Sequence, residues 1–112
     1  GLQFWVNRAF MGELLPAAES YRARVCVQAP REIDCLEVFG DGVVVACLTD
    51  LPSECEIEFA DLPPCRWYYA KVTMSGGFPQ YPANIAPAEG PWGWSSPVFV
   101  EPPPAAGPSV MR

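Results

Sequence analysis

The chain has 112 residues, half of them hydrophobic, with 14 prolines and 9 glycines, which indicates one globular domain of short segments joined by turns. It carries 7 basic and 13 acidic residues, a net charge of −6, and no basic stripe, which argues against nucleic acid or an anionic membrane surface as a partner. No apolar run approaches the ~20 residues of a membrane-spanning helix. None of these features indicates a cellular compartment.

The first part of the chain predicts two strands separated by a connection. Residues 2–6 form a short apolar run with aromatic side chains, which is typical of a strand. Residues 7–16 contain a glycine and end on a proline, so they are predicted as a connection. Residues 21–28 alternate between apolar and polar side chains, which is the pattern of a half-buried antiparallel strand.

A β-hairpin is predicted around Asp41-Gly42. Apolar runs at 33–39 and 43–48 flank this dipeptide. Asp-Gly between two such runs favours a tight hairpin, because both central turn residues then adopt positive φ.

The second half predicts three more strands. They lie at 56–60, 67–74 and 95–100, and the middle one alternates most regularly. Residues 75–93 contain so many prolines and glycines that we predict a long irregular loop.

Seven strands at short spacing, without an amphipathic helical pattern, predict an all-β fold. We expect a seven-stranded antiparallel immunoglobulin/fibronectin-III-like sandwich over residues 1–101. Residues 102–112 have the composition of a proline-rich tail or linker.

One segment predicts a tyrosine corner. An even spacing, of two or four residues, separates the members of this segment, which are Leu62, Pro64, Tyr68, Ala70 and Val72. This spacing resembles the E–F corner of fibronectin type III domains, which implies that the hydroxyl of Tyr68 ties back to the backbone of the turn. The alternative is an ordinary strand that begins with tyrosine.

A second resemblance covers nearly the whole chain and rests on five segments taken in order. They are Leu2-Gln3-Phe4-Trp5-Val6-Asn7, Met11-Gly12-Glu13, the hairpin 33–45, Trp67-Tyr68-Tyr69-Ala70-Lys71-Val72 and Trp94-Ser95-Ser96-Pro97-Val98-Phe99-Val100. Together they resemble the C-terminal domain of bacterial proteins related to the PHP metal-dependent phosphoesterases, a family of unknown function. The long 75–93 segment departs from that family, which has a short turn there.

The resemblance implies an accessory domain beside an upstream, histidine-rich catalytic domain. This chain has no histidine and no nucleophile or phosphate-binding motif, so we expect no catalytic, cofactor or metal site in it. The expected partner is the upstream catalytic domain of the same polypeptide or another protein, with a second copy of the chain as an alternative.

Four aromatic residues form the candidate interaction surface. Phe78, Tyr81, Trp92 and Trp94 lie in or beside the 75–93 loop, and loops at the end of a sandwich often bind ligands. Three alternatives stay open at this point: the rings cover the domain's own core, contact the parent domain, or stack on carbohydrate in a stand-alone binding module.

The cysteines and acidic residues have ordinary structural interpretations. Five cysteines leave at least one unpaired, and small buried side chains are the expected role, with a Cys55–Cys65 bridge as an alternative in an exported protein. Glu56 and Glu58 share one face of a strand, where a solvated surface is favoured over a calcium site with Asp50, Glu54 or Asp61.

Overall fold

The computed structural model describes residues 1–75 and 89–102. These residues form ten strands in two packed sheets and contain no helix, so the all-β prediction is confirmed. The strands are β1 (Leu2–Val6), β2 (Ala9–Phe10), β3 (Leu14–Leu15), β4 (Tyr21–Gln28), β5 (Ile33–Gly40), β6 (Val43–Leu51), β7 (Glu54–Leu62), β8 (Trp67–Ser75), β9 (Glu89–Trp94) and β10 (Val98–Val100).

The strands divide into two sheets that face each other across one core. Sheet I has the order β2-β1-β4-β7. Sheet II has the order β3-β10-β8-β5-β6, and β9 pairs with β8 beside β10. All described pairings are antiparallel except that of β3 with β10, which is parallel.

Alternating side chains of both sheets fill the core. In β4 the side chains of Tyr21, Ala23, Val25 and Val27 are buried, whereas the arginines between them are exposed. In β8 the inward positions are Tyr68, Ala70, Val72 and Met74. A period of two places every second residue on the core face, so both strands follow the pattern that the sequence predicts.

The predicted hairpin joins β5 to β6. Gly40 pairs with Val43, and the two residues between them have positive φ, 50° at Asp41 and 87° at Gly42. Positive φ at both positions is the signature of the tight hairpin turn that matches the twist of the flanking strands. The Asp-Gly prediction is therefore confirmed.

The connection predicted over residues 7–16 contains two short strands. β2 folds back on β1, and β3 crosses to sheet II and lies parallel to β10. The N–H of Phe99 donates to the carbonyl of Glu13, and the N–H of Glu101 donates to that of Leu15. β2 forms a tight hairpin with β1 through Asn7 and Arg8, with positive φ at Asn7. β3 is only two residues long, and its contact with the distant β10 defines it.

The irregular loop predicted over residues 75–93 is wrong in its last part. β9 begins at Glu89 and pairs with β8 from Lys71 to Ser75, with a register shift between Val72 and Thr73. A shift of this kind lets a strand accommodate residues such as Pro91 that cannot donate to a regular ladder. Residues 76–88 lie outside the described part.

The predicted last strand over residues 95–100 is shorter than expected, because β10 begins only at Val98. In the gap between β9 and β10, the buried Ser95 makes two hydrogen bonds with Ala70 of β8 in place of regular strand pairing. The N–H of Ala70 donates to Ser95 Oγ (2.8 Å), and the N–H of Ser95 donates to the carbonyl of Ala70 (2.9 Å). β9, this gap and β10 therefore act as one interrupted strand along β8. Most of the predicted tail, residues 103–112, lies outside the described residues.

The two sheets end on edge strands of opposite character. β7 closes sheet I and carries four carboxylates, whereas β6 closes sheet II and carries one, Asp50. Charges on an edge strand hinder pairing with another chain. β7 is therefore protected in a way that β6 is not.

Candidate interaction surface

The structure describes only one of the four predicted surface side chains. Trp94 ends β9 opposite Lys71, and its side chain is 58% exposed on the outer face of sheet II. Trp92 lies in the same strand, but its side chain lies outside the described part, as do all of Phe78 and Tyr81. Trp94 therefore belongs to the face of a sheet rather than to a loop.

Three aromatic rings form a packed row in the middle of the same face. Trp67 and Tyr69 are two residues apart in β8, with ring centroids 5.4 Å apart and planes only 10° from parallel. Phe39 of β5 lies opposite Tyr69, at a centroid distance of 4.8 Å and an angle of 56°. Aromatic pairs at these distances add stability beyond the area that they bury. The three rings therefore form one packed, half-buried row on the outer face.

Exposed apolar side chains extend the row in both directions across the sheet. Phe99 pairs with Trp67 and is 49% exposed, and Leu14 pairs with Phe99 and is 57% exposed. On the other side, Val44 pairs with Phe39. The exposed apolar residues and the aromatic row thus cross sheet II from β3 to β6, and we call this surface the aromatic face.

One ion pair lies within the aromatic face. Lys71 Nζ is 3.8 Å from a Glu37 carboxylate oxygen and 5.5 Å from the ring centroid of Phe39. A partly exposed pair of this kind contributes at most about 1 kcal/mol to stability. The pair brings opposite charges together, so it adds no net charge to the aromatic face.

The outer face of sheet I has the opposite character. Arg22 pairs with Glu58 and Arg24 pairs with Glu56, both at 3.6 Å. Arg24 also lies 4.1 Å from the ring centroid of Trp5, an arrangement that adds cation–π attraction. Glu56 and Glu58 thus face arginines, and this face is charged and solvated.

Tyr68 ties the β7–β8 turn to the core. Its ring is fully buried, its hydroxyl donates to the carbonyl of Pro63 at 2.6 Å, and it accepts from the N–H of Cys65 at 3.0 Å. Burial raises the pKa of the phenol above its ordinary value, which keeps it protonated at neutral pH. Leu62 is buried beside the turn, whereas Pro64 is exposed. This is the hydrogen bonding of a tyrosine corner.

A cleft beside this turn contains a thiol and a carboxylate. Its lining includes Asp41, Cys65 and Arg66. The Asp41 carboxylate accepts the backbone N–H of Arg66 at 2.8 Å, and burial raises the pKa of the Cys65 thiol. A thiol with a raised pKa is a poor nucleophile at neutral pH, so the cleft offers no activated group.

The described residues hold no group of three or more histidine, cysteine or acidic side chains placed to bind a metal ion. All five cysteines are free. Cys55 lies near the start of β7 and Cys65 follows its end, so an extended strand with a rise of ~3.3 Å per residue separates them. The Cys55–Cys65 bridge is therefore wrong for this fold.

Comparison with known protein families, curated proteins and solved structures gives no match. The family resemblance of the sequence thus stays a prediction. Within the described ranges, no helix has the length and apolar character needed to cross a membrane.

Sequence reasoning missed most of the aromatic face. The alternation of β8 does place Trp67 and Tyr69 on one side, opposite the core positions. Two large aromatic residues at successive outward positions were the available signal. The contribution of Leu14 and Phe99 depends on the parallel β3–β10 pairing, which no local pattern reveals.

Proposed function

We propose that this chain is a non-catalytic accessory β-sandwich domain that packs against another protein domain through the aromatic face. The observation that carries the proposal is the run of exposed apolar side chains across sheet II, with Trp94 and Phe99 about half exposed or more. Contiguous exposed apolar surface on a small domain usually marks an interface. Tryptophan and other large aromatics are also the side chains that dominate binding energy at such sites.

We further propose a fibronectin-III-like topology for the sandwich. Support comes from the strand order, in which β1, β4 and β7 share one sheet and β6, β5, β8 and β10 share the other. These groups correspond to strands A, B and E and strands C′, C, F and G of such a domain. Strands β2 and β3 and the separate β9 are additions to that plan.

The proposed partner is the upstream catalytic domain of the same polypeptide. Its support is the sequence resemblance to the C-terminal domain of PHP-related proteins. The charge distribution fits this arrangement, because the arginine–glutamate pairs of sheet I suit a solvent-facing side. The aromatic face is then the side turned toward the partner.

Carbohydrate stacking is the less favoured alternative, because several of the described surface rings already pack against a neighbouring ring or guanidinium group. Tyr69 has Trp67 stacked on it and Phe39 tilted against it, and Trp5 carries the Arg24 guanidinium. A sugar ring needs a free aromatic face. Trp94 and Phe99 are the exposed aromatic residues in the described part that remain for it.

The test compares single substitutions on the two outer faces. Trp94→Ser and Phe99→Ser remove exposed apolar side chains, and Arg22→Ser on sheet I is the matched control, since its side chain is 61% exposed. Binding to the separately expressed upstream segment is measured by titration calorimetry. Loss of a central aromatic contact costs roughly 2 kcal/mol, which corresponds to about thirtyfold weaker binding, and the control should bind normally.

The proposal is wrong if all three variants bind the upstream segment as the unmodified chain does. It is equally wrong if the chain binds a soluble polysaccharide in affinity electrophoresis and Trp94→Ser abolishes that binding. The second result would make the chain a carbohydrate-binding module.

A further inference from the structure

Two cysteines lie side by side on the outer face of sheet II. Cys35 of β5 pairs with Thr49 of β6, and Glu37 pairs with Cys47. Cys35 and Cys47 are therefore diagonal neighbours on adjacent strands, and both point away from the core. Neither thiol lies in the aromatic row or contributes to the tyrosine corner.

The two thiols differ in accessibility, and the pKa of Cys35 is raised. Cys47 is exposed, whereas Cys35 is half-buried. Burial, followed by the nearby Glu37 carboxylate, raises the pKa of Cys35 to about 11, and a hydrogen bond with the Cys47 thiol adds to the rise. The thiols are thus close enough to interact, and Cys47 is the one that a reagent in solution reaches first.

We propose that Cys35 and Cys47 form a reversible disulfide, which makes this hairpin a redox modification site. The oxidant is a small-molecule disulfide of the glutathione type. The inference rests on the strand register and on the shared face of the two side chains, and it is independent of the proposed function.

The chemistry balances with one equivalent of oxidant. The Cys47 thiolate attacks one sulfur of the small-molecule disulfide, so a mixed disulfide forms and one small thiol leaves. Only a small fraction of Cys35 is thiolate at neutral pH, but this fraction, after its proton is lost to solvent, attacks the adjacent sulfur of Cys47 within the same hairpin, which forms the Cys35–Cys47 bond and releases the second small thiol. Two protein thiols are oxidised, and one small-molecule disulfide is reduced to two thiols.

The position of β6 at the edge of the sheet makes the bond feasible. Diagonal neighbours have Cα atoms about 7–8 Å apart, whereas a disulfide requires about 4.4–6.8 Å, so the strands must approach each other. β6 is bonded to β5 alone and can shift without breaking a second ladder. A disulfide formed with such a distortion is strained and easily reduced, which is why we infer reversibility.

A second cysteine pair provides an internal control. Cys26 of β4 pairs with Glu56 of β7, while the neighbouring Val27 pairs with Cys55. The offset of one residue places Cys26 on the outer face of sheet I and Cys55 on its core side. These two cysteines are also on adjacent strands, but we expect no bond between them.

The experiment treats the folded full chain with oxidised glutathione, blocks the remaining thiols with an alkylating agent, and digests the chain with a glutamate-specific protease. The protease cuts after Glu37 and so separates Cys35 from Cys47. Mass spectrometry should find these two peptides joined in a monomeric product, with the mass of two hydrogen atoms missing. Cys26, Cys55 and Cys65 should all be alkylated, and dithiothreitol should release the joined peptides.

The variant Cys47→Ser should remove the link and leave the fold intact, because Cys47 is exposed. Three results would overturn the proposal. One is a glutathione adduct that persists on Cys47 without a link to Cys35, another is a covalent dimer through Cys47 as the only product, and the third is a Cys26–Cys55 link as abundant as the Cys35–Cys47 link.

Discussion

Replacing Tyr68 by phenylalanine tests the corner that joins the two sheets. The substitution removes one oxygen atom and keeps the ring, so packing in the core is nearly unchanged. The lost hydroxyl donates to the carbonyl of Pro63 and accepts from the N–H of Cys65. Both backbone groups lose their partner at the same time.

The expected cost follows from these two hydrogen bonds. Each contributes about 0.5–1.5 kcal/mol, and a backbone group left without a partner adds to the loss where water cannot reach it. The turn borders an open cleft that includes Pro64 and Cys65, so water can hydrate part of the site. We therefore expect the free energy of unfolding to fall by about 2 kcal/mol, which corresponds to a melting temperature roughly 10 °C lower.

Urea denaturation monitored by tryptophan fluorescence measures this loss. Tyr69→Phe is the matched control, since its ring lies on the outer face of the same strand, and it should change the free energy of unfolding by less than about 0.5 kcal/mol. If Tyr68→Phe changes the midpoint no more than the control does, the hydroxyl does not stabilise the fold, and the reasoning fails.

Three further changes test other parts of the sandwich. Ser95→Ala leaves a buried N–H of β8 without its acceptor and should cost about 1–2 kcal/mol in urea denaturation, whereas Ser96→Ala at an exposed position should be neutral. Gly40→Ala puts a methyl group 2.5 Å from the sulfur of Cys65 and should lower the free energy of unfolding by about 1–3 kcal/mol. Adding Cys65→Ala should restore part of this free energy. If the effects of the two substitutions simply add, the clash with Cys65 is not the cause. Stability should also fall between about pH 9 and pH 11, because the unfolded chain then releases the Cys35 proton that the folded chain retains. The urea midpoint of Cys35→Ser should fall less steeply with pH over this range than that of the unmodified chain. Equal slopes for the two proteins would contradict the raised pKa of Cys35.

Regular alternation and turn chemistry explain what could be predicted from the sequence. The inward residues of β4 and β8 follow a strict period of two, and Asp41-Gly42 specifies its own turn. Six of the seven predicted strands lie within β1 and β4 to β8, and of the seventh, predicted over residues 95–100, only Val98–Val100 is a strand.

β3 and β9 could not be predicted, because contacts outside their own sequence determine them, whereas β2 is a two-residue strand in a tight hairpin with β1. β9 contains two glycines, at 90 and 93, and Pro91, so its composition is that of a loop, and only the ladder along β8 makes it a strand. β3 has two residues and exists because it lies against β10. The aromatic face was missed for the same reason, since its residues come from strands far apart in sequence.

The unequal edges of the two sheets limit how copies of this chain could assemble. Among the described edges, β6 is long and carries one charge, whereas β7 carries four carboxylates, β2 and β3 are two residues long, and β9 contains a proline. If β6 pairs with β6 of another copy, a twofold axis relates the two molecules. The free backbone groups of both β6 edges are then hydrogen-bonded to each other. Assembly through this edge would stop at two copies, because the described strands offer no second edge that is both long and low in charge.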